Sequence, residues 1–248
     1  MVASTALQGW VTGDLEGVGV SSRTSSDYHR ARLSNGRVAP ETYVVGRGGY
    51  DEGAAKDRSI DAVRFGFLLK NLAEPLGEQG YFPAKDQKSA NLLFMVYWGA
   101  TNPSPIWEAG RDGNVENGLR SSLRWHVNAR TASLLGYDSW WDSTERFVGT
   151  PFDFWREDLY QELEDARYFV VVMAYDFPML RARKQAKLVW ETRYSLRTRG
   201  HYFNESLAMM TREAMPYFGR DSRGLLHKDI PLGRVEVGQP RVVPDQSN

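Results

Sequence analysis

Two uninterrupted apolar runs constrain this 248-residue chain more than any other feature. Leu92 to Trp98 and Tyr168 to Tyr175 are apolar at every position, whereas a strand with one wet face alternates between apolar and polar residues. Both runs are far shorter than the roughly 20 residues that cross a bilayer. They therefore predict strands in the middle of a sheet, with both faces covered.

Two segments with helical periodicity can provide that cover. Apolar residues recur at helix spacing from Phe65 to Leu76. The segment that begins at Thr150 repeats the pattern, with Leu159 and Leu163 on the buried stripe and Glu162 on the stripe that we expect in water. Both segments predict amphipathic helices that pack on the sheet.

A third segment, Lys187 to Thr198, alternates between apolar and polar residues, which predicts an antiparallel strand near an edge with one exposed face. We expect an α/β fold of α+β-like character. It is a single domain in which helices layer on a mixed, mostly antiparallel β-sheet as a two-layer sandwich.

Composition shifts along the chain suggest its organisation. The Ser-, Gly- and Arg-rich residues 1–40 predict an extended N-terminal arm. The α/β domain is expected over 41–238, with an insertion at about 99–150, and a C-terminal tail over 239–248. The glycines from Gly46 to Gly49 follow a short β-branched run and predict a loop.

Charge and cysteine content exclude several classes of protein. The chain has 31 basic and 31 acidic side chains, so its formal net charge is zero and a dedicated nucleic-acid binder is not expected. It has no cysteine, which rules out disulfides, thiolate metal sites and a cysteine nucleophile. Neither feature identifies the compartment in which the protein works.

No motif assembles a catalytic or metal centre. His29, His126, His201 and His227 are scattered without the spacing of metal ligands, and no nucleophile elbow or phosphate-binding loop is present. We therefore predict no catalytic residues, no metal and no cofactor.

Adjacent tryptophans give one candidate binding site. Trp140 and Trp141 lie in an Asp- and Ser-rich connection inside the insertion. Two exposed indoles could stack on a sugar or anchor a protein partner, and they could equally pack onto the core. Both interpretations stay open at this point.

Basic residues give a second candidate. A loop between two predicted strands carries Arg181, Arg183 and Lys184, and Arg193 and Arg197 share the polar face of the following strand. Together they predict a basic patch that suits anionic lipid headgroups or an acidic partner. An ordinary solvated strand face is the alternative.

The order of segments resembles a family of uncharacterised bacterial lipoprotein-like proteins that share a domain of unknown function. The resemblance covers about residues 25 to 220. Its matching pieces are Ser26–Tyr28, Glu41–Val45, the helix that ends at Gly80-Tyr81, Ala90–Phe94, Lys187–Glu191 and the closing helix. Two features depart from the family: the chain lacks a signal peptide with a lipidated cysteine, and it carries the insertion at 99–150.

The resemblance implies a non-enzymatic, exported envelope protein that acts through contacts with other proteins or the cell envelope. It implies a periplasmic or membrane-anchored location through a signal missing from this sequence; a native gene without a signal implies the cytoplasm. The alternative is a soluble hydrolase or a carbohydrate- or ligand-binding module that uses the insertion. Neither the ligand nor the oligomeric state follows from the sequence.

Overall fold

A computed structural model of the chain describes residues 17–51, 60, 63–102, 128–138, 159 and 162–230. The elements in chain order are β1 (Val18–Thr24), β2 (Glu41–Asp51), α1 (Phe65–Glu78), β3 (Tyr81–Pro83), β4 (Leu92–Ala100), β5 (Arg167–Asp176), α2 (Phe177–Arg183), β6 (Leu188–Arg197), α3 (Phe203–Ala214) and β7 (Leu225–Lys228). Residues 128–135 and 162–164 are also helical. The predicted tail at 239–248 and most of the predicted insertion lie outside the described residues.

The strands form one seven-stranded sheet in the order β3-β2-β4-β5-β6-β1-β7. The β2 strand runs parallel to both β3 and β4, and the other neighbouring strands are antiparallel. The two apolar runs are β4 and β5, in mid-sheet as predicted. The prediction of helices layered on a mixed, mostly antiparallel sheet is confirmed.

Helical residues pack against both faces of the sheet. On one face, which we call the front, α1 and α3 cover the large apolar cluster. On the other face, the back, residues 128–135 and the helical residues near Leu163 cover a smaller cluster that includes Phe169 and Val171. The back cover adds a partial layer to the two layers that the sequence predicts.

The β1 strand lies inside the segment that the sequence predicts to be an arm. Val18–Thr24 pair with β6 on one side and β7 on the other. The sequence does not predict this strand because its buried serines interrupt the apolar pattern. These serines are satisfied by hydrogen bonds rather than by apolar contacts. The buried Ser22 hydroxyl, for example, lies 2.7 Å from the Thr192 hydroxyl and donates to the carbonyl of Glu191 at 2.9 Å.

Lys187–Thr198 contains an antiparallel strand as predicted, but the prediction that one of its faces is exposed is wrong. The β6 strand lies between β5 and β1, and seven of its ten residues are buried and none is exposed: Glu191 and Ser195, on its polar face, are 5% and 0% exposed. Polar residues alternate here because ion pairs and hydrogen bonds, not water, satisfy the back of the strand.

The prediction of a loop at Gly46–Gly49 is also wrong, because β2 continues through these residues with a bulge between Arg47 and Gly49. The glycines make room for side chains of the neighbouring β4 strand. A Cβ at Gly46 would lie 2.5 Å from Met95 Sδ, and a Cβ at Gly48 would lie 2.5 Å from the Tyr97 ring. Glycine here is a packing requirement between strands.

Substitution of Phe94 tests the assignment of the apolar core on the front face of the sheet. Phe94 is 1% exposed, stacks on Tyr43 with ring centroids 4.5 Å apart and meets Trp190 edge-on at 5.1 Å. We expect Phe94→Ala to lower the free energy of unfolding by about 3–5 kcal/mol, because it leaves a cavity among rigid rings. The control Phe67→Ala, at a position 42% exposed, should cost less than about 1 kcal/mol. Denaturant midpoints measure both, and equal losses would contradict this assignment of the core.

Candidate interaction surface

The structure separates the residues that the sequence places in one basic patch. Arg181, Arg183 and Lys184 are exposed at the end of α2, a short helix where the sequence predicts a loop. The helix forms because the Asp176 carboxylate accepts a hydrogen bond from the backbone N–H of Met179 at 2.8 Å. Trp140, Trp141 and His126 lie outside the described residues, so their predicted roles stay predictions.

Arg193 and Arg197 lie apart from that helix, on the back of β6. Arg193 pairs with Glu191 at 2.9 Å and donates to the carbonyl of Leu134 at 3.0 Å. Arg197 pairs with Asp165. Each guanidinium is thus paired with a carboxylate and helps to attach the back cover to the sheet, and Glu191 also pairs with Arg23 at 2.7 Å. Whether either residue binds a partner stays a prediction.

A buried polar network lies further along the same face. Glu162 and Arg167 are both 0% exposed, and Arg167 Nη1 lies 3.2 Å from Glu162 Oε1, at ion-pair distance although not aligned for a hydrogen bond. Tyr137 donates its hydroxyl to the same oxygen at 2.6 Å. His227 Nε2, on β7, lies 3.0 Å from that oxygen. The prediction that Glu162 faces water is therefore wrong, because its charge is paired inside the protein.

The remaining groups of Arg167 bind β6. Its Nε donates to the Ser195 hydroxyl at 3.1 Å and its Nη2 to the Ser195 carbonyl at 3.3 Å. Burial opposes ionisation of Glu162, but Arg167, His227 and Tyr137 outweigh burial and lower the pKa of that carboxyl to about 2. Glu162 is therefore ionised at neutral pH and cannot act there as a general acid.

The same network contains the residue types of a hydrolytic centre, but its geometry indicates a structural role. Ser195 is 0% exposed, and Arg167 already binds its hydroxyl, so a substrate carbonyl has no approach to that oxygen. The contacts join β5, β6 and β7 to the helical residues of the back cover. We assign the network to holding that cover in place.

A different place in the fold concentrates exposed charge. Thr24 pairs with Trp190, Glu41 with Tyr81, and Leu92 with Asp176, so the connections between these strands emerge at one end of the sheet. We call this the basic end and define it as residues 25–41, 77–91, 176–187 and 218–222. It carries ten Lys and Arg side chains against six Asp and Glu.

Several of these cations are available to a partner. Asp27 is paired with Lys187 and Glu41 with Arg30, which uses up two of the carboxylates. The exposed cations of the basic end without an ion-pair partner in the described part of the chain are Arg32, Arg37, Lys85, Lys88, Arg181, Arg183, Lys184 and Arg220. Three of the predicted binding residues thus belong to a larger basic surface that the sequence does not reveal.

An open cleft of about 830 Å³ lies at this end. One wall is the connection from β1 to β2, and the other walls are the end of α1, the start of β3 and the residues after α3. Arg30 holds the first wall in place. Its guanidinium donates to the carbonyls of Gln79, Ala39 and Gly80 at 2.6 to 3.1 Å and lies 4.3 Å from the centroid of the Tyr81 ring.

Two further observations limit the chemistry of the described residues. Among them, no three carboxylate or imidazole side chains are grouped as metal ligands would be. Within the same residues, no helix has the length and apolar content that a membrane crossing needs.

Comparison with known proteins yields only weak structural likenesses. No protein-family model and no curated protein matches the chain. A PDZ domain protein from Parabacteroides distasonis is 10% identical over 84% of this chain, which spans 37% of that protein's chain, with a TM-score of 0.43. A DUF4136 family protein from Bacteroides thetaiotaomicron is 13% identical, with 80% of this chain and 95% of that chain covered and a TM-score of 0.37.

A PelC dodecamer from Paraburkholderia phytofirmans is also similar, at 7% identity, with 82% of this chain and 99% of that chain covered and a TM-score of 0.33. At these identities and scores, the likenesses carry no inference about family or activity. The lipoprotein-like family suggested by the sequence stays a prediction.

Glu162 provides the test of the buried network. We expect Glu162→Gln to destabilise the fold by about 3–5 kcal/mol at pH 7, because it leaves the Arg167 charge buried without a counter-charge. The native carboxyl has a pKa of about 2 against an ordinary 4.5, so its contribution is complete above pH 4.5 and is lost as the pH falls toward 2. The stability gap between the two proteins should therefore narrow over that range.

Two controls accompany this measurement. Glu74→Gln, at an exposed position on α1, should change the unfolding free energy by less than about 0.5 kcal/mol. The double variant Glu162→Gln/Arg167→Met should regain part of the loss, because both charges are gone. A gap that stays constant from pH 7 to pH 2 would show that the ion pair is not what Glu162 contributes.

Proposed function

We propose that this protein is a non-enzymatic binding domain that acts at the cell envelope by contacting an acidic protein partner through its basic end. The observation that supports this most is the group of exposed cations, without ion-pair partners among the described residues, that four separate chain segments bring to one end of the sheet. A set of like charges without internal partners destabilises an isolated protein and favours an anionic partner. The envelope location rests on the sequence resemblance alone.

The shape of the basic end favours a protein partner over a lipid bilayer. A flat anionic membrane is contacted best by a flat or convex basic surface, whereas the basic end contains a cleft. A protruding segment of a protein can enter such a cleft and meet its walls. The alternative function, a soluble hydrolase or a carbohydrate- or ligand-binding module that uses the insertion, stays a prediction, because most of the insertion lies outside the described residues.

Charge reversal tests this function. The triple variant Arg181→Glu/Arg183→Glu/Lys184→Glu should bind immobilised poly-glutamate at least about tenfold more weakly than the native protein, because electrostatic complementarity is lost. Native binding should weaken steeply as salt is raised through physiological ionic strength. Affinity can be measured by biolayer interferometry at several salt concentrations.

The matched control is Lys70→Glu/Arg199→Glu/Arg212→Glu, which changes the net charge equally at exposed positions outside the basic end. It should keep native affinity within about twofold, because the surface that binds is unchanged. Equal losses in both variants would mean that net charge, not the basic end, determines binding. Absence of native binding to poly-glutamate, or tighter binding to vesicles of anionic lipid, would overturn the proposal.

A further inference from the structure

The cleft at the basic end combines exposed apolar surface with positive charge. Its volume of about 830 Å³ is within the range of pockets that take small ligands and peptide segments. It is open to solvent, and its described lining comes from residues 28–40, 77–82 and 218–220. Its walls therefore show what it could hold.

The first property is exposed apolar surface. Leu33 and Phe82 both line the cleft and are 45% and 47% exposed. They are two of the four large hydrophobic residues that are exposed in the described ranges, and the other two, Phe67 and Tyr202, do not line this cleft. Two exposed apolar side chains in the lining of a cleft favour an apolar side chain of a ligand.

The second property is positive charge around that apolar surface. Arg32, Arg37 and Arg220 line the cleft, and none has an ion-pair partner among the residues described. Among the described residues of the lining, Glu78 is the only carboxylate. Guanidinium groups bind carboxylates in a bidentate manner, so the cleft suits a ligand with at least two carboxylates.

The cleft walls are held in position before any ligand binds. Gly219 has a φ of +70°, and a Cβ there would lie 1.9 Å from the Tyr81 hydroxyl, so only glycine lets the chain pass this close to β3. The Tyr81 hydroxyl in turn lies 3.0 Å from that of Tyr28, which donates to Glu41 at 2.5 Å. Fixed walls reduce the entropy lost on binding.

We propose that this cleft binds an acidic peptide segment whose apolar side chain inserts between Leu33 and Phe82 while flanking carboxylates pair with Arg32, Arg37 and Arg220. This inference rests on the proposed function and names the part of the basic end that selects the partner. Charge alone would accept any polyanion. The apolar pair requires a hydrophobic residue within the acidic segment, as polypeptides have and anionic polysaccharides lack.

Two synthetic peptides of equal length and charge test the inference. One alternates Glu with Leu at its centre, and the other has Ser in place of each Leu. The native protein should bind the Leu peptide at least about tenfold more tightly, since a buried Leu side chain contributes that much or more. Isothermal titration calorimetry at physiological salt measures both affinities, with poly-glutamate as a third probe.

Variants distinguish the two kinds of contact. Leu33→Ser/Phe82→Ser should remove the preference for the Leu peptide and keep poly-glutamate binding, whereas Phe67→Ser, at an exposed apolar position outside the cleft, should change neither. Arg32→Gln/Arg37→Gln/Arg220→Gln should weaken both peptides by at least about tenfold. All positions changed in the cleft are exposed, and a thermal melt establishes that each variant is folded.

The outcomes distinguish failure of this inference from failure of the proposed function. If the native protein binds both peptides and poly-glutamate alike, the basic end binds anions but the cleft does not select a peptide, and the inference is overturned while the function stands. If it binds none of the three probes, both fail. Displacement of the Leu peptide by single-stranded DNA of equal charge, at equal or lower concentration, would also overturn the inference.

Discussion

The buried pair of Glu162 and Arg167 is the constraint on which the back of this molecule depends. Arg167 begins the central strand β5 and faces the back, where it is wholly buried. A guanidinium cannot shed its proton to avoid the cost of burial, so it must find a counter-charge. Glu162 supplies that charge and brings its helical residues onto the sheet.

That pair also accounts for the polar residues in the neighbouring strands. Ser195 stands opposite Phe169 and next to Gly19 in the sheet, and its small side chain leaves the space that the Arg167 guanidinium occupies. Gly19 also leaves room for this network, since a Cβ there would lie 2.5 Å from the Tyr137 hydroxyl. One buried ion pair thus dictates residue size on two adjacent strands.

Charge distribution, rather than net charge, gives this chain its candidate function. The formal net charge of zero argues against a dedicated nucleic-acid binder, but it says nothing about where charges lie. On the back of β6, arginines and carboxylates pair with each other and hold layers together. At the basic end, cations from the β1–β2, β3–β4 and β5–β6 connections remain exposed.

The amino-acid sequence by itself determined the elements with strong internal patterns. Helix α1 and the strands β4 and β5 were predictable because periodicity and uninterrupted apolar runs depend only on burial. The candidate cations Arg181, Arg183 and Lys184 were also recognised, since a cluster within four residues is local. Arg32, Arg37 and Arg220 were not, because nothing in the sequence relates three isolated arginines.

Only the tertiary structure decided which distant residues meet. It made β6 an inner strand by pairing it with β1, and it turned Glu162 from a solvent-facing residue into the partner of Arg167. It also gathered four chain segments into one basic end. The physical reason is that periodicity reports whether a position is buried, whereas pairing between charges, hydroxyls and strand edges depends on positions in space that are set by the whole chain.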